Sequence, residues 1–415
     1  MNKYIIIISF LVFFISCFIV WNLLHEREEI KKIYMIEKTE RKMKRLKETE
    51  GLTLFSSNQS KEEQNSASEI IKEINGYNQT NSKTHLDSKY NTLPLNQMSV
   101  FSSWNTACSG KFVSQIQIVN VLASGCRLVH FKVSNFEGEP MIFGEFFKEK
   151  KDGILLKDAL KTTSDHAYRH KLMVTTSSGK KEVHLSNHQD PLFVMLSFHH
   201  FSHTETKKYN ENRINGIPNP PIIPEYPEAF LDKCAEYINS SFKHRLYERE
   251  GIGAIPIHKN TKMYEIKEKT IIFTDITTFN RKEKEDFKKT LLKKHTTLIC
   301  GHQSGMMLYP FHELTEKSPK IVHTNSNKKN VNMYDKNMNF IMAIPKNISN
   351  NSNPSNKEFL KCTLYQKCQF IPLTFYQTKN LNENIQFYED EKSAFVPLQH
   401  IYLQRLHDNS RAVMG

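Results

Sequence analysis

Six short apolar runs set the limits on how this chain folds. They are "CRLVHFKV", "LFVMLSF", "TIIFTDI", "NFIMAIP", "CQFIPLTF" and "SAFVPL". Each is rich in Val, Ile and Phe and lacks the clean polar alternation of a sheet wetted on one face. Strands covered on both faces read this way, and the spacing of 20 or more residues leaves room for crossovers. The pattern implies an α/β protein with a parallel sheet. Periodicity alone fits both a (β/α)8 barrel and an open doubly wound sheet.

The runs all lie after residue 90. Upstream, Tyr4 to Leu24 carries no charge, and about 20 helical residues span a bilayer core. No cleavage-type motif follows it, and Trp21 falls at the expected interface. Before it the only basic side chain is Lys3; after it come Arg27, Lys31, Lys32, Lys38, Arg41, Lys42, Lys44 and Arg45. The reading is a retained single-pass anchor at 1–24, with the rest of the chain on the cytosolic side or inside a virus particle. Residues 25–50 lack Gly and Pro and read as a charged helical stalk, 51–90 as a flexible polar linker, 91–405 as the folded domain and 406–415 as a tail.

The net charge of +13 suits an anionic partner, and it equally follows from a Lys- and Asn-rich composition. No nucleic-acid-binding motif accompanies it. Seven scattered cysteines without a C-x-x-C pair argue for reduced, mostly buried thiols rather than a zinc knuckle.

Local motifs go further than periodicity. "LPLNQMSVFSSWNTACSGKF", "SGCRLVHFKV" and "GEPMIFGEF" resemble the X region of phosphoinositide-specific phospholipase C, with its S-S-H-N-T, S-G-C-R-x-V-E-L-D and G-E-P-x-I-Y-H-G motifs. "PLFVMLSFHHFS" is similar to P-V-I-L-S-L-E-N-H, and "MYEIKEKTIIFTDI" to L-K-G-K-I-L-I-K. "KCQFIPLTFYQT" and "SAFVPLQHIYLQR" resemble the Y region. The overall style is similar to phospholipase-C-like proteins of large DNA viruses. The resemblance implies a (β/α)8 TIM-type barrel, a phosphoric diester hydrolase ancestry, and a site at the C-terminal strand ends.

It also implies which residues to inspect. The family's first histidine aligns with Trp104, whose indole has one donor, no acceptor and no useful pKa. A calcium-binding asparagine is retained as Asn105. The two carboxylates of V-E-L-D align with His130 and Lys132, so a cation stands where a cation should bind. The second histidine aligns with Gly144, next to Glu145. The glutamate of S-L-E-N aligns with His199, and a substrate-phosphate lysine with Phe273. With the acid/base pair and the carboxylates gone together, the expectation is a catalytically inactive barrel that binds lipid or protein. No cofactor is expected unless the calcium site survives. The alternative is a phosphodiesterase using His130, Glu145 and His199 as substitutes. A borderline metal on His199, His200 and His203 is weighed against plain loop histidines. His184 and His188 sit in a polar loop and need no special role.

Overall fold

The computed structural model describes residues 90–110, 112–144, 153–176, 179–185, 187–219, 221–249, 251–301, 305–316, 340–345, 353–364, 366–377 and 380–398. These all belong to one of the two units into which the chain divides, Ser66–Gly415. The expected anchor (Tyr4 to Leu24), stalk and nearly all of the linker lie outside the described residues, as do Glu145 and the tail.

The strands, in chain order, are β1 (Met98–Val100), β2 (Leu128–Phe136), β3 (Glu139–Phe143), β4 (Gly153–Leu155), β5 (Lys171–Thr176), β6 (Gly179–His184), β7 (Leu192–Phe198), β8 (Ile222–Ile223), β9 (Glu248–Arg249), β10 (Gly253–Ala254), β11 (Thr270–Asp275), β12 (Leu298–Cys300), β13 (Met306–Pro310), β14 (Phe340–Ile344) and β15 (Phe395–Pro397). Between them run α1 (Gln115–Ala123), α2 (Leu156–Ala167), α3 (His203–Ile214), α4 (Glu228–Phe242), α5 (Arg281–Phe287), α6 (Leu291–His295), α7 (Phe311–Glu316), α8 (Asn356–Leu364) and α9 (Leu381–Asp390).

The protein is thus mixed α/β, with a central parallel-rich sheet in the order β14-β13-β12-β11-β7-β2-β3-β4 and β8 on β2. From β14 to β2 the ladders are all parallel; β3, β4 and β8 attach antiparallel. Every residue of β7 is buried, as expected for a strand covered on both faces. The ladders leave the sheet open between β14 and β2. Single parallel bridges continue from it: Met342 to Phe370, Phe370 to Val100, and Ser102 to Leu128. Pro372 lacks the N–H a ladder needs, which helps explain why "CQFIPLTF" makes isolated bridges only.

Local chemistry sets several helix starts. Ser202 and Glu205 form a capping box on α3, and Asn280 and Glu283 do so on α5. Side chains alternate across the sheet. One face puts Leu128, Phe193, Met195, Ile271 and Phe273 into one apolar cluster; the other puts Val129, Phe131, Val194, Leu196 and Ile272 against the helices.

The expected single-pass localisation does not stand. Among the described residues no helix is long and apolar enough to cross a membrane. The longest described helix, α4, has 15 residues, about 22 Å against the roughly 30 Å of a bilayer core. The six described cysteines are buried.

Arg127, in the "SGCR" motif, is 1% exposed. Its Nη1 donates to the Ala167 carbonyl at 2.8 Å, and its Nη2 to the carbonyl and the side-chain oxygen of Asn187. The guanidinium therefore ties the end of α2 to the turn before β7. Arg127→Met strands those buried acceptors and should cost about 3–4 kcal/mol. At about 2–4 °C per kcal/mol, the thermal midpoint should fall by roughly 10 °C, measured by circular dichroism. An unchanged midpoint would rule out this role.

Candidate functional site

Register builds the site in layers. Leu128, Phe193 and Ile271 stand level; then His130, Met195, Phe273 and Leu298; then Lys132, Ser197, Asp275 and Cys300. The third layer lies at the C-terminal ends of β7, β11 and β12. The loop from Ser103 to Thr106 folds over the first two layers. The Trp104 N–H donates to the Leu373 carbonyl and the Thr106 N–H to the His130 carbonyl. Thr106 Oγ1 in turn accepts from the His130 N–H at 2.8 Å.

Within this loop Asn105 takes φ 46°, a left-handed conformation that asparagine tolerates. The twist aims its backbone N–H at His130 Nδ1, 3.1 Å away. That bond fixes the ring's chemistry. A nitrogen that accepts carries no proton, so the neutral imidazole holds its proton on Nε2 and donates to Ser197 Oγ at 2.7 Å. The Trp104 indole stacks flat on the ring, centroids 3.8 Å apart and planes 9° apart. His130 is fully buried. Loss of water, then the Lys132 charge, pushes its pKa down to about 3.

His130 and Ser197 have the spacing of a base and a nucleophile. The proton, however, sits on the nitrogen facing the serine, so the ring donates where a base must accept. The tautomer set by Asn105 excludes activation of Ser197 in this arrangement.

The other candidates spread out. His199 lies just past β7, where its N–H donates to the Val133 carbonyl and its own carbonyl accepts from Tyr226. Burial, then Lys132, lowers its pKa to about 4. Gly144 follows β3 and is buried. Phe273 is fully buried between Phe193 and Phe370, ring centroids 5.3 and 5.5 Å away, so it is part of the core. His200 is exposed and His203 opens α3.

Sequence reasoning missed Ser197 and Asp275. Counting by two from Phe193 and from Ile271 would have found both. Asp275 is buried and accepts from the Thr277 N–H at 2.9 Å and its hydroxyl at 2.6 Å. Burial still raises its pKa.

Calcium takes six to eight oxygen ligands. The expected positions do not supply them. Both His130 nitrogens are engaged, Lys132 is a cation, and only Asn105 Oδ1 is a buried acceptor without a hydrogen-bond partner. Among the described residues no three His, Cys, Asp or Glu side chains hold their donors in a metal-binding arrangement. These residues do not fit the ion.

No family model matches the chain, and no curated protein matches it. Solved structures do. The crystal structure of L. pealei PLC21 shares 15% identity and a TM-score of 0.47 over 74% of this chain and 37% of that one. S. officinalis PLC21 shares 17% identity and a TM-score of 0.48 over 74% and 37%. A calcium-dependent phosphoinositol-specific phospholipase C from a Gram-negative bacterium, Pseudomonas sp, shares 8% identity and a TM-score of 0.39 over 77% and 100%. The chain thus spans little more than a third of the PLC21 chains it resembles.

Proposed function

We propose that the folded domain is a phospholipase-C-like barrel that binds its ligand without cleaving it. The single bridges through Val100 and Phe370 complete a ring of eight parallel segments in this reading. Five of the seven X- and Y-type segments, on β1, β2, β7, β11 and at Phe370, fall in chain order along that ring; those on β3 and β15 lie off it. The observation that carries the loss of chemistry is the state of His130: buried, neutral, and donating through the nitrogen nearest the serine. A general acid or base works best with a pKa near the working pH, and neither His130 nor His199 has one. Lys132, at the strand ends, supplies positive charge for an anionic lipid headgroup or an acidic protein segment.

The test is turnover. The purified chain, given phosphatidylinositol with and without calcium, should release no inositol phosphate above a protein-free blank. Calcium-dependent release that is abolished by Asn105→Ala would overturn the proposal. Product formed without calcium, and lost in both His130→Ala and His199→Ala, would establish the phosphodiesterase alternative.

A further inference from the structure

The end of the sheet opposite the strand-end layer carries an apolar tip set among cations. There β9 and β10 form a hairpin of their own, with Gly253 opposite Arg249 and Ala254 opposite Glu248. The hairpin lies at the N-terminal ends of the parallel strands. Leu246, just before it, bridges to Thr270, the first residue of β11, and α6 beside it leads into β12.

Glycines shape the tip. The Ile252 N–H donates to the Arg249 carbonyl at 3.0 Å and closes the turn. Gly251 and Gly253 take φ 75° and 99°, left-handed values that glycine adopts without steric cost. A Cβ on Gly253 would come 2.8 Å from the Lys294 carbonyl oxygen, so its absence lets the hairpin press on α6. A Cβ on Gly251 would meet nothing within 4 Å, so the tip stands in open space. Ile252 at that tip is 71% exposed, and Leu291, which opens α6 one turn before Lys294, is 39% exposed. Lone exposed aliphatics are ordinary; two on adjoining elements make a patch.

Charge completes it. Arg249 and Lys294 are exposed, and neither is in an ion pair among the described residues. The acids nearby are engaged: Glu248 Oε2 lies 3.0 Å from His295 Nδ1, and Asp232 accepts from the Leu291 N–H at 2.6 Å.

We propose that this face docks on the surface of an anionic lipid bilayer. Ile252 and Leu291 enter the boundary between headgroups and acyl chains, and Arg249 and Lys294 meet the headgroups. A phosphate backbone offers no apolar contact for the two aliphatics, which sets nucleic acid aside. A protein would need a pocket shaped to the tip, whereas a bilayer yields to it. The chain's net charge of +13 acts in the same direction. Docking of this kind is peripheral and needs no helix that crosses the bilayer. It faces the strand-end layer away from that bilayer, so the acidic protein segment is the ligand left for that layer. The docking itself stands independently of the function proposed above.

The test is hydrogen exchange of the full chain, alone, with phosphatidylcholine vesicles, and with vesicles of equal parts phosphatidylcholine and phosphatidylserine. With the mixed vesicles, amides 251–254 and 291–295 should exchange at least about fivefold more slowly. Phosphatidylcholine alone should leave them unchanged, and amides 204–217, at the other end of the strands, should not respond to either lipid. Arg249→Glu made with Lys294→Glu, and separately Ile252→Asp, should abolish the slowing. These side chains are exposed, so far-UV circular dichroism should match the parent. No slowing at the hairpin, equal slowing with phosphatidylcholine alone, or slowing kept in the charge-reversed variant would overturn the proposal. So would equal slowing by soluble polyglutamate, which would assign the face to an acidic protein instead.

Discussion

Lowering the pH from 7 to 4 should cost the folded domain about 5 kcal/mol, the low end of the stability range of natural domains. The loss comes from two imidazoles. His130 protonates near 6.5 when unfolded and only near 3 when folded. His199 goes from 6.5 to about 4. Between those values the unfolded chain binds more protons, so stability falls as pH falls. His130 alone gives about 3 kcal/mol at pH 4, and His199, less deeply buried, contributes somewhat less. Buried Asp275 acts in the opposite direction, because its raised pKa lets the folded state hold a proton first. Glu283, whose pKa burial also raises, acts the same way, so the measured slope is the histidine contribution less that of these two carboxyls. Urea denaturation at a series of pH values should show stability declining below 6.5 with a limiting slope of about 1.4 kcal/mol per pH unit for each histidine. His130→Asn should remove one histidine's share of that slope. A flat profile between pH 6.5 and 4 would mean that His130 is protonated in the fold, and the tautomer argument would fail with it.

The difference between what sequence and structure reveal follows from the same chemistry. "CRLVHFKV" and "LFVMLSF" were legible as strands because both faces had to be covered, and they became neighbours in the parallel sheet. "SAFVPL" looked alike but became β15, paired antiparallel with β1, since an apolar run does not encode the direction of its partner. Trp104 was singled out in the sequence only through a resemblance. Its stacking on His130 was not legible, because it depends on the left-handed turn at Asn105. Ser197 and Asp275 were hidden inside apolar runs, where only register identifies which polar residue reaches the strand-end layer. His184 and His188 were legible as near neighbours, but the ring of His170, 14 and 18 residues before them, meets theirs only in the fold.

Calcium should bind once acids stand at the positions that the phospholipase-C resemblance assigns to carboxylates. His130→Glu, Lys132→Asp and His199→Glu, made together, put carboxylates at the three positions that the resemblance assigns to acids, beside Asn105, whose Oδ1 is a buried acceptor without a hydrogen-bond partner. In the absence of calcium the variant should be less stable than the parent, because buried carboxylates repel one another and lose water. A site with a Kd of about 10 µM, in 1 mM calcium, gains about 2.7 kcal/mol. That corresponds to a rise of roughly 5–10 °C in the thermal midpoint. The parent should show no shift, since its residues at those positions are two imidazoles and a lysine rather than oxygen donors. The two arms separate two ideas. A shift in the parent would mean that oxygens from elsewhere complete a calcium site, and the loss of chemistry would have to be argued anew. A folded variant that ignores calcium would mean that residues 130, 132 and 199 do not surround a cation position, and the resemblance would then not extend to the site.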